Sequence, residues 1–374
     1  MNKARIQAIL DAAVAGGMAP GLTAAVGCAD GTDVHFSAGV RGLSDPTPMD
    51  ADAAFWIASC TKAITALAAA QLVERGLLDL DEPVGALLPQ LASPQVLEGF
   101  DAEGAPILRP AKRAITLRHL LTHTSGMAYD FCNADLGRYL SATGRPLMEA
   151  ADVLVFEPGE GWHYGIGIDA AGWLIEAVTG QGLDAVFDEH ILGPLGMTST
   201  AFVPDAALTA RRAGMHVTGP DGTLIATDPF PMPAEGWGGG GLVSTAPDYL
   251  KFLRAIMGDG AGVVGPTGLA LLRESQGDDW PAGELITANR VFSHDFKPMP
   301  GIDKRWTLGF LRNETDVPGA RKAGSLAWGG IANCYYWADP TSGVSGALFA
   351  QFLPFADPRM LATFEAFERA VYAD

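Results

Sequence analysis

Phe55-Trp56-Ile57-Ala58-Ser59-Cys60-Thr61-Lys62 is an apolar stretch that ends in a serine and a lysine one helical turn apart. Ser59 is the only serine of the chain with a lysine three residues later, and this spacing puts both side chains on one helix face. Lys62 is the only charged residue between Asp52 and Glu74. A solvated lysine behind an ordinary cap serine is therefore disfavoured. The stretch predicts a serine nucleophile with a lysine as its base.

The residues after this stretch explain how the lysine can accept a proton. Ala63–Leu77 is alanine-rich and apolar on all sides, which predicts a buried helix. Burial disfavours the ammonium form, so the pKa of Lys62 is expected to fall and its amine to take the proton of Ser59. The start of the helix also offers backbone N–H groups to a negative charge that forms there. The spacing alone is weak evidence, because a chain of this length contains about one such pair by chance.

A tyrosine between glycines forms the second element, in the segment Gly161–Gly172 that reads GWHYGIGIDAAG. Tyr164 is expected on a loop, just before a helix capped by Asp169. A neighbouring lysine cation would lower the pKa of its phenol and make it a base and proton shuttle. Taken without the other elements, the segment is better explained by an amphipathic tyrosine at an interface.

The third element is Ala327-Trp328-Gly329-Gly330-Ile331, at the entry to a predicted edge strand. Glycines in a strand often mark a place where a ligand approaches the backbone closely. The N–H groups of Ile331 and Ser59 are therefore predicted to bind a developing oxyanion. A β-bulge explains this segment equally well if it is considered alone.

In this order the three elements resemble the group of class C β-lactamases, DD-peptidases and family VIII carboxylesterases. The stretch Phe55–Ser59 carries the same resemblance, as do Leu117–Met127, which reads LRHLLTHTSGM, and Gly239–Thr245, which reads GGGLVST. The resemblance covers nearly the whole chain. It implies the serine β-lactamase-like, or penicillin-binding-protein, fold, with family VIII carboxylesterases as the most similar branch.

Two departures from the β-lactamase pattern favour an esterase. The asparagine of the Tyr-x-Asn motif is replaced by Ile166, and Trp328-Gly329-Gly330 stands where Lys-Thr-Gly is found. The amide and the cation that bind a charged acylated amino acid are therefore missing, and apolar surface replaces them. We expect Trp328, Gly329, Gly330 and Ile166 to contact the substrate. Tyr129 is expected there too, although a packing role explains it as well.

Local patterns predict the elements of this fold. Helices are predicted at residues 4–16, Ala63–Leu77, Leu117–Leu121, Ala170–Val178, Leu183–Leu192, Ala246–Met257 and Pro358–Tyr372. Strands are predicted at Leu22–Cys28, Val34–Val40, Ala332–Trp337 and Val344–Phe352. Strands near both ends of the chain indicate an α/β (α+β) fold with one antiparallel sheet flanked by helices. Residues 1–85 with 231–374 would form the sheet domain, residues 86–230 an inserted, mainly helical domain, and the cleft between them the active site.

Composition excludes several classes of partner. The formal net charge of −18 would repel nucleic acid and anionic membranes. No transmembrane helix is expected, and residues 1–21 lack the apolar core of a signal peptide. The four cysteines are scattered without a Cys-x-x-Cys pair and are expected to be free thiols. A cytoplasmic enzyme acting on a small ester is therefore predicted, and its oligomeric state stays open.

Other candidate sites carry less weight. His119 and His123 have helical spacing, but no third metal ligand follows, so structural roles are favoured. The glycine run Gly238–Gly241 lacks the Lys-Ser/Thr of a phosphate loop. Cys60 points about 100° away from Ser59 and is expected to be a buried small hydrophobe.

The sequence thus predicts a serine carboxylesterase for short- to medium-chain esters, with Ser59, Lys62 and Tyr164 as catalytic residues and without metal or cofactor. Acyl transfer and β-lactamase-type or DD-peptidase-type amide hydrolysis use the same residues and remain alternatives. A binding module for acylated ligands is the alternative without catalysis.

Overall fold

The two ends of the chain form the sheet together in the computed structural model, which describes residues 1–228, 236–276 and 280–373. The strands, in chain order, are β1 (Gly21–Cys28), β2 (Asp33–Gly42), β3 (Asp45–Pro48), β4 (Phe55–Trp56), β5 (Gln95–Phe100), β6 (Pro106–Pro110), β7 (Val153–Leu154), β8 (Met215–Thr218), β9 (Leu224–Thr227), β10 (Val243–Ser244), β11 (Lys304–Trp306), β12 (Leu311–Asn313), β13 (Leu326–Gly330), β14 (Cys334–Asp339), β15 (Val344–Phe349) and β16 (Phe352–Leu353). Within the described ranges, eight of them form one antiparallel sheet in the order β11-β12-β13-β14-β15-β1-β2-β3. The α/β class with a main antiparallel sheet is thereby confirmed.

Within the described residues a helix lies at each predicted position, although the one predicted at Leu183–Leu192 ends at Phe187, and three further helices occupy Ala134–Thr143, Ala206–Thr209 and Pro266–Arg273. The helices are α1 (Lys3–Ala15), α2 (Thr61–Glu74), α3 (Leu117–Leu121), α4 (Ala134–Thr143), α5 (Gly167–Thr179), α6 (Leu183–Phe187), α7 (Ala206–Thr209), α8 (Ala246–Met257), α9 (Pro266–Arg273) and α10 (Pro358–Tyr372). In the described parts of the chain, no helix is long and apolar enough to cross a bilayer.

Helices cover the sheet on both faces, and two neighbouring residues of β14 show this. The ring of Tyr336 lies 5.0 Å from that of Tyr249 on α8, whereas the ring of Trp337 lies 5.4 Å from that of Phe367 on α10. Successive side chains of a strand point to opposite faces, so α8 and α10 lie on opposite sides of the sheet. The main hydrophobic core includes residues from both layers.

Helix α2 is the buried element that carries the predicted lysine. Every residue from Thr61 to Leu72 is buried, as the apolar composition of Ala63–Leu77 predicts. The helix packs against α5 and α9. It ends at Glu74, before Gly76, which adopts a positive φ of 69° that glycine tolerates without strain.

The middle of the chain contains more strand than the sequence suggests. The antiparallel pair β5–β6 joins β7, and β8 pairs with both β9 and the C-terminal β16. The division into residues 1–85 with 231–374 and residues 86–230 stays a prediction. Its second boundary lies outside the described residues.

Candidate active site

Ser59 lies at a sharp bend between a short strand and the buried helix. β4 pairs with β10, and a 3₁₀ turn at Ala58–Cys60 then leads directly into α2. Ala58 adopts a positive φ of 45°, a region that non-glycine residues rarely occupy. Strain of this kind is concentrated at functional sites, where the surrounding fold holds it in place. The bend places Ser59 on the wall of a cavity.

Lys62 lies beneath Ser59 in the first turn of α2 and is fully buried. Its Nζ lies 3.3 Å from Ser59 Oγ, 2.9 Å from Tyr129 Oη and 2.6 Å from the carbonyl oxygen of Gly239. Burial lowers the pKa of Lys62 to about 8, and the carboxylate of Asp169 partly opposes this shift. The lysine predicted as a base thus has a pKa close to neutrality, as a general base requires.

Tyr164 lies on the other side of Ser59, but its expected pKa shift has the wrong sign. Its Oη accepts a hydrogen bond of 3.2 Å from Trp328 Nε1, and its ring centroid lies 5.0 Å from Lys62 Nζ. The side chain is only 4% exposed, so burial raises the pKa of its phenol, although hydrogen bonds to Ser59 and Trp328 oppose the change. Desolvation is the largest of these effects. Tyr164 therefore keeps its proton near neutral pH and is placed to donate it.

Tyr129 and Asp169 form a second layer behind the lysine. Tyr129 Oη donates to Asp169 Oδ2 across 3.3 Å, and Asp169 Oδ1 accepts the N–H of Gly239 at 2.8 Å. Asp169 was expected to cap a helix, but the N-cap of α5 is Ile166, and Asp169 follows in the first turn. Burial raises the pKa of Asp169, with Lys62 opposing this shift.

The glycines of β13 allow this strand to approach Ser59. β13 pairs with β12 only at Leu326 and Ala327, so the predicted edge strand is interior there and becomes an edge from Trp328 onward. A Cβ at Gly330 would overlap the carbonyl oxygen of Ile57. Only glycine lets the strand and the turn before Ser59 come this close.

Ser59 and Tyr164 open onto a cavity of 210 Å³ with mostly aromatic and aliphatic walls. Of the described residues, Asp130 is the only lining residue with a charged side chain. The lining also includes Trp56, Tyr129, Phe131, Met148, Trp237, Leu285, Phe292, Trp328, Gly329, Ile331 and Phe355.

Two residues expected to contact substrate are absent from the described lining of this cavity. Ile166 is 1% exposed and lies in the main hydrophobic core, because the N-cap position of α5 directs it inward. Gly330 lies against the bend before Ser59 instead. The remaining predicted contacts, Tyr129, Trp328 and Gly329, do line it.

The contacts of Asp169 and Gly239 with the groups around Lys62 are not predicted by the sequence motifs. The run Gly238–Gly241 lacks the residues of a phosphate loop and was therefore given no role. Its second glycine, Gly239, nevertheless provides the carbonyl oxygen next to Lys62. A Cβ at Gly239 would overlap the carboxylate of Asp169, so a side chain is excluded there. The run of glycines was the available signal, because it indicates close packing of the backbone.

The histidines and Cys60 have structural environments. His119 accepts the N–H of Thr116 at 3.3 Å within the capping box of α3. His123 lies beyond the end of that helix, with its ring 4.8 Å from that of Tyr164, and burial holds its pKa well below the usual value. Cys60 is fully buried, and burial raises the pKa of its thiol well above the usual value. The prediction that Cys60 is a buried small hydrophobe is confirmed.

Comparison of the sequence with known proteins gives one consistent result. The profile of the family described as Beta-lactamase matches residues 6–370. The monacolin J acid methylbutanoyltransferase of Aspergillus terreus is 36% identical over 352 residues, which cover 87% of this chain and 83% of the relative. The lovastatin esterase of Penicillium rubens is 31% identical over 349 residues, which cover 87% of this chain and 88% of the relative.

Solved structures agree with these sequences. A mutant of simvastatin synthase from Aspergillus terreus has a TM-score of 0.89 at 32% identity, covering 98% of this chain and 96% of that one. EstCE1, a hydrolase with promiscuous acyltransferase activity, has a TM-score of 0.77 at 21% identity, covering 99% of this chain and 98% of that one. The second likeness concerns the fold alone.

Proposed function

This chain belongs to the beta-lactamase family, its relatives include an esterase and acyltransferases, and on that premise we propose that it is a carboxylesterase. Its substrates are short- to medium-chain carboxylic esters, which it hydrolyses through an acyl-enzyme on Ser59. The observation that carries the proposal is the contact of Lys62 Nζ with Ser59 Oγ at 3.3 Å on the wall of an apolar cavity. A buried amine with a pKa of about 8 is neutral in roughly one molecule in ten at pH 7.

Acylation follows from the positions of the three side chains. Neutral Lys62 takes the proton of Ser59 while Oγ forms a bond to the ester carbonyl carbon. The N–H groups of Ser59 and Ile331 bind the resulting oxyanion. Tyr164 donates its proton to the leaving alkoxide oxygen as the ester C–O bond breaks, and the proton held by Lys62 restores the phenol. Water then reacts with the acyl-enzyme by the reverse sequence, releasing the acid and free Ser59.

The cavity favours uncharged substrates. Its aromatic and aliphatic walls gain free energy from apolar groups, and among the described residues no lysine or arginine lines it. A carboxylate that enters would lie near Asp130 without a cation to pair with, and burying it unpaired costs several kcal/mol. A neutral ester avoids this cost. The lack of a cation in the described lining therefore supports discrimination against β-lactams and peptides with a free carboxylate.

Acyl transfer is the second candidate, because acyltransferases as well as an esterase are similar to this chain. A methylbutanoyltransferase and a lovastatin esterase are similar to this chain over comparable lengths. The two reactions share the acyl-enzyme and differ in whether water or another nucleophile accepts the acyl group. The apolar walls would hold an apolar alcohol as readily as an ester.

The test begins with p-nitrophenyl butyrate and mass spectrometry of the intact protein. A butyryl group on the peptide containing Ser59 supports the proposal, and Ser59→Ala should abolish both labelling and turnover without lowering the melting temperature. Ser125→Ala is the control, because Ser125 is a buried serine whose Oγ, in the described structure, accepts the N–H of Met127 and has no contact with Lys62. Full turnover by Ser59→Ala would refute the assignment.

The partition of the acyl-enzyme separates hydrolysis from transfer. Adding a small apolar alcohol to the reaction should leave butyric acid as the main product if the enzyme is an esterase. A butyrate ester as the main product at millimolar alcohol would establish an acyltransferase instead.

We also propose a cytoplasmic location. The cysteines Cys28, Cys60, Cys132 and Cys334 are all free thiols, which suits a reducing compartment.

A further inference from the structure

The hydrogen bonds around Lys62 depend on which of its neighbours donate a proton and which accept one. In the described structure its Nζ faces three oxygens, those of Ser59, Tyr129 and Gly239. A neutral amine has two N–H groups and one lone pair, so it can donate to only two of them. The carbonyl of Gly239 can only accept and therefore takes one N–H. Whether the lone pair faces Ser59 or Tyr129 then depends on which way the Tyr129 phenol points.

Asp169 determines the direction of the Tyr129 O–H bond. Its Oδ2 lies 3.3 Å from Tyr129 Oη, and an ionised carboxylate can only accept, so the phenol proton points toward Asp169. The phenol oxygen is then left to accept the second N–H of Lys62 at 2.9 Å. Both N–H groups are now used, and the remaining position of the amine faces Ser59 Oγ.

The same carboxylate also orients the other acceptor. Asp169 Oδ1 accepts the N–H of Gly239 at 2.8 Å, and the carbonyl of that residue takes the first N–H of Lys62 at 2.6 Å. The two oxygens of Asp169 thus fix both partners of the lysine. Asp169 is 1% exposed and does not line the cavity in the described structure, so it acts at a distance from the substrate.

We propose that Asp169 is a positioning residue that sets the hydrogen-bond direction around Lys62, so that the lone pair of the neutral amine faces Ser59. The inference rests on the proposed function, in which Lys62 is the base. It assigns to Asp169 a task different from stabilising the first turn of α5, where a carboxylate favours the helix in any protein.

Asp169→Asn is the variant that separates the two tasks. If the amide oxygen keeps the N–H of Gly239, the amide NH₂ faces Tyr129 and donates to its oxygen. The phenol must then donate to the lone pair of Lys62, which leaves only N–H groups toward Ser59. The nucleophile loses its base although every contact keeps its place.

The rate at which a small alkyl fluorophosphonate labels Ser59 measures this loss without depending on the natural substrate. We expect Asp169→Asn to lower the labelling rate about 10²-fold, as for a misdirected general base. In a Tyr129→Phe background the phenol is absent, so Asp169→Asn should lower the rate less than about threefold further. Asp248→Asn is the matched control, because Asp248 on α8 is a buried carboxylate that accepts the N–H of Ser199.

The pH profile of labelling supplies a readout that a structural role would not move. The charge of Asp169 raises the pKa of Lys62, so its removal should shift the rising limb of the profile to lower pH while the plateau falls. Apart from Tyr129, whose hydroxyl reverses its hydrogen bond to the amine, the groups around Lys62 are the same in both proteins: Cys60, Cys132, Tyr164 and His123.

Each outcome has one meaning. No labelling of the wild-type protein refutes the proposed function itself, and the inference falls with it. Labelling of Asp169→Asn at the wild-type rate, or an equal loss with and without Tyr129, overturns the inference and leaves the function intact. If Asp169→Asn does not fold, Tyr129→Phe decides: a tenfold or larger loss in the folded protein supports the inference, and a wild-type rate overturns it.

Discussion

The indole Nε1 of Trp328 donates a hydrogen bond of 3.2 Å to the phenol oxygen of Tyr164. An indole N–H can only donate, so the phenol oxygen accepts and its own proton stays available for the Ser59 side. Trp328 therefore does more than line the cavity. In the proposed mechanism it fixes the direction in which Tyr164 passes a proton, and by the resemblance of the motifs it stands where β-lactamases have the lysine of Lys-Thr-Gly.

Replacing Trp328 with phenylalanine keeps the aromatic wall and removes this donor. We expect kcat for p-nitrophenyl butyrate to fall about 3- to 10-fold, the size of one net hydrogen bond, with KM changed less than about twofold. Tyr164→Phe alone should cost about 10²-fold. In that background Trp328→Phe should have almost no further effect on kcat, and an additive loss would contradict the shared role.

The pKa of Lys62 predicts the pH dependence of the reaction. The neutral amine is the active form, so kcat/KM should rise about tenfold per pH unit below pH 8 and level off above it. Burial lowers the pKa of Lys62, so the rising part of the pH–rate profile lies near pH 8, below the usual lysine range near 10. A stopped-assay profile from pH 5.5 to 9.5 with p-nitrophenyl butyrate tests this, after correction for spontaneous hydrolysis.

Lys62→Gln is the control for that profile. It should lower kcat/KM by about 10²-fold or more and remove the limb near pH 8. If the rise of kcat/KM near pH 8 persists in this variant, it arises from the titration of another group, and Lys62 is not the base.

A methyl group at position 330 should disturb the oxyanion site. In Gly330→Ala the added Cβ would overlap the carbonyl of Ile57, which forces β13 away from the bend and moves the N–H of Ile331. Loss of one oxyanion donor typically costs about 10²-fold in kcat, and steady-state kinetics would measure it. Gly137→Ala on α4, where the added methyl would meet only ordinary contacts, serves as the control. A wild-type kcat in Gly330→Ala would place the oxyanion elsewhere.

Short neutral esters should be far better substrates than β-lactams. A β-lactam brings a carboxylate toward Asp130 in a cavity whose described lining offers no cation. We expect kcat/KM for p-nitrophenyl butyrate to exceed that for nitrocefin by at least about 10²-fold, or roughly 3 kcal/mol. Similar values for the two substrates would reveal a carboxylate-binding residue that is missing from this description.

Several elements could be predicted because their signals are local. Helices α8 and α10 begin and end where their apolar periodicity and caps indicate, and the hairpin of β1 and β2 follows from the turn at Asp30-Gly31. The burial of Lys62 could be read from the absence of other charges nearby. Such features depend on neighbours within a few residues in the chain.

The features that the sequence did not predict depend on residues far apart in the chain, or lie in segments whose residue pattern does not match their structure. The contact of Asp169 with Gly239 joins segments 70 residues apart, and nothing local distinguishes that aspartate from a helix cap. The pKa of Tyr164 rises because the tertiary structure buries its phenol, which outweighs the hydrogen bonds to Ser59 and Trp328. Strand β6 begins and ends with Pro106 and Pro110 and is mostly exposed, so it lacks the alternation of a strand.

The pairing of β1 with β15 also affects how the protein folds during its synthesis. The register joins Thr23 to Phe349, so the centre of the sheet cannot close until nearly the entire chain has left the ribosome. β13, which flanks Ser59, belongs to the same late-arriving half. Contacts this far apart in sequence slow folding and leave early segments uncovered in the meantime. The nascent chain therefore carries Ser59 and Lys62 well before the strands that complete their surroundings have been synthesised.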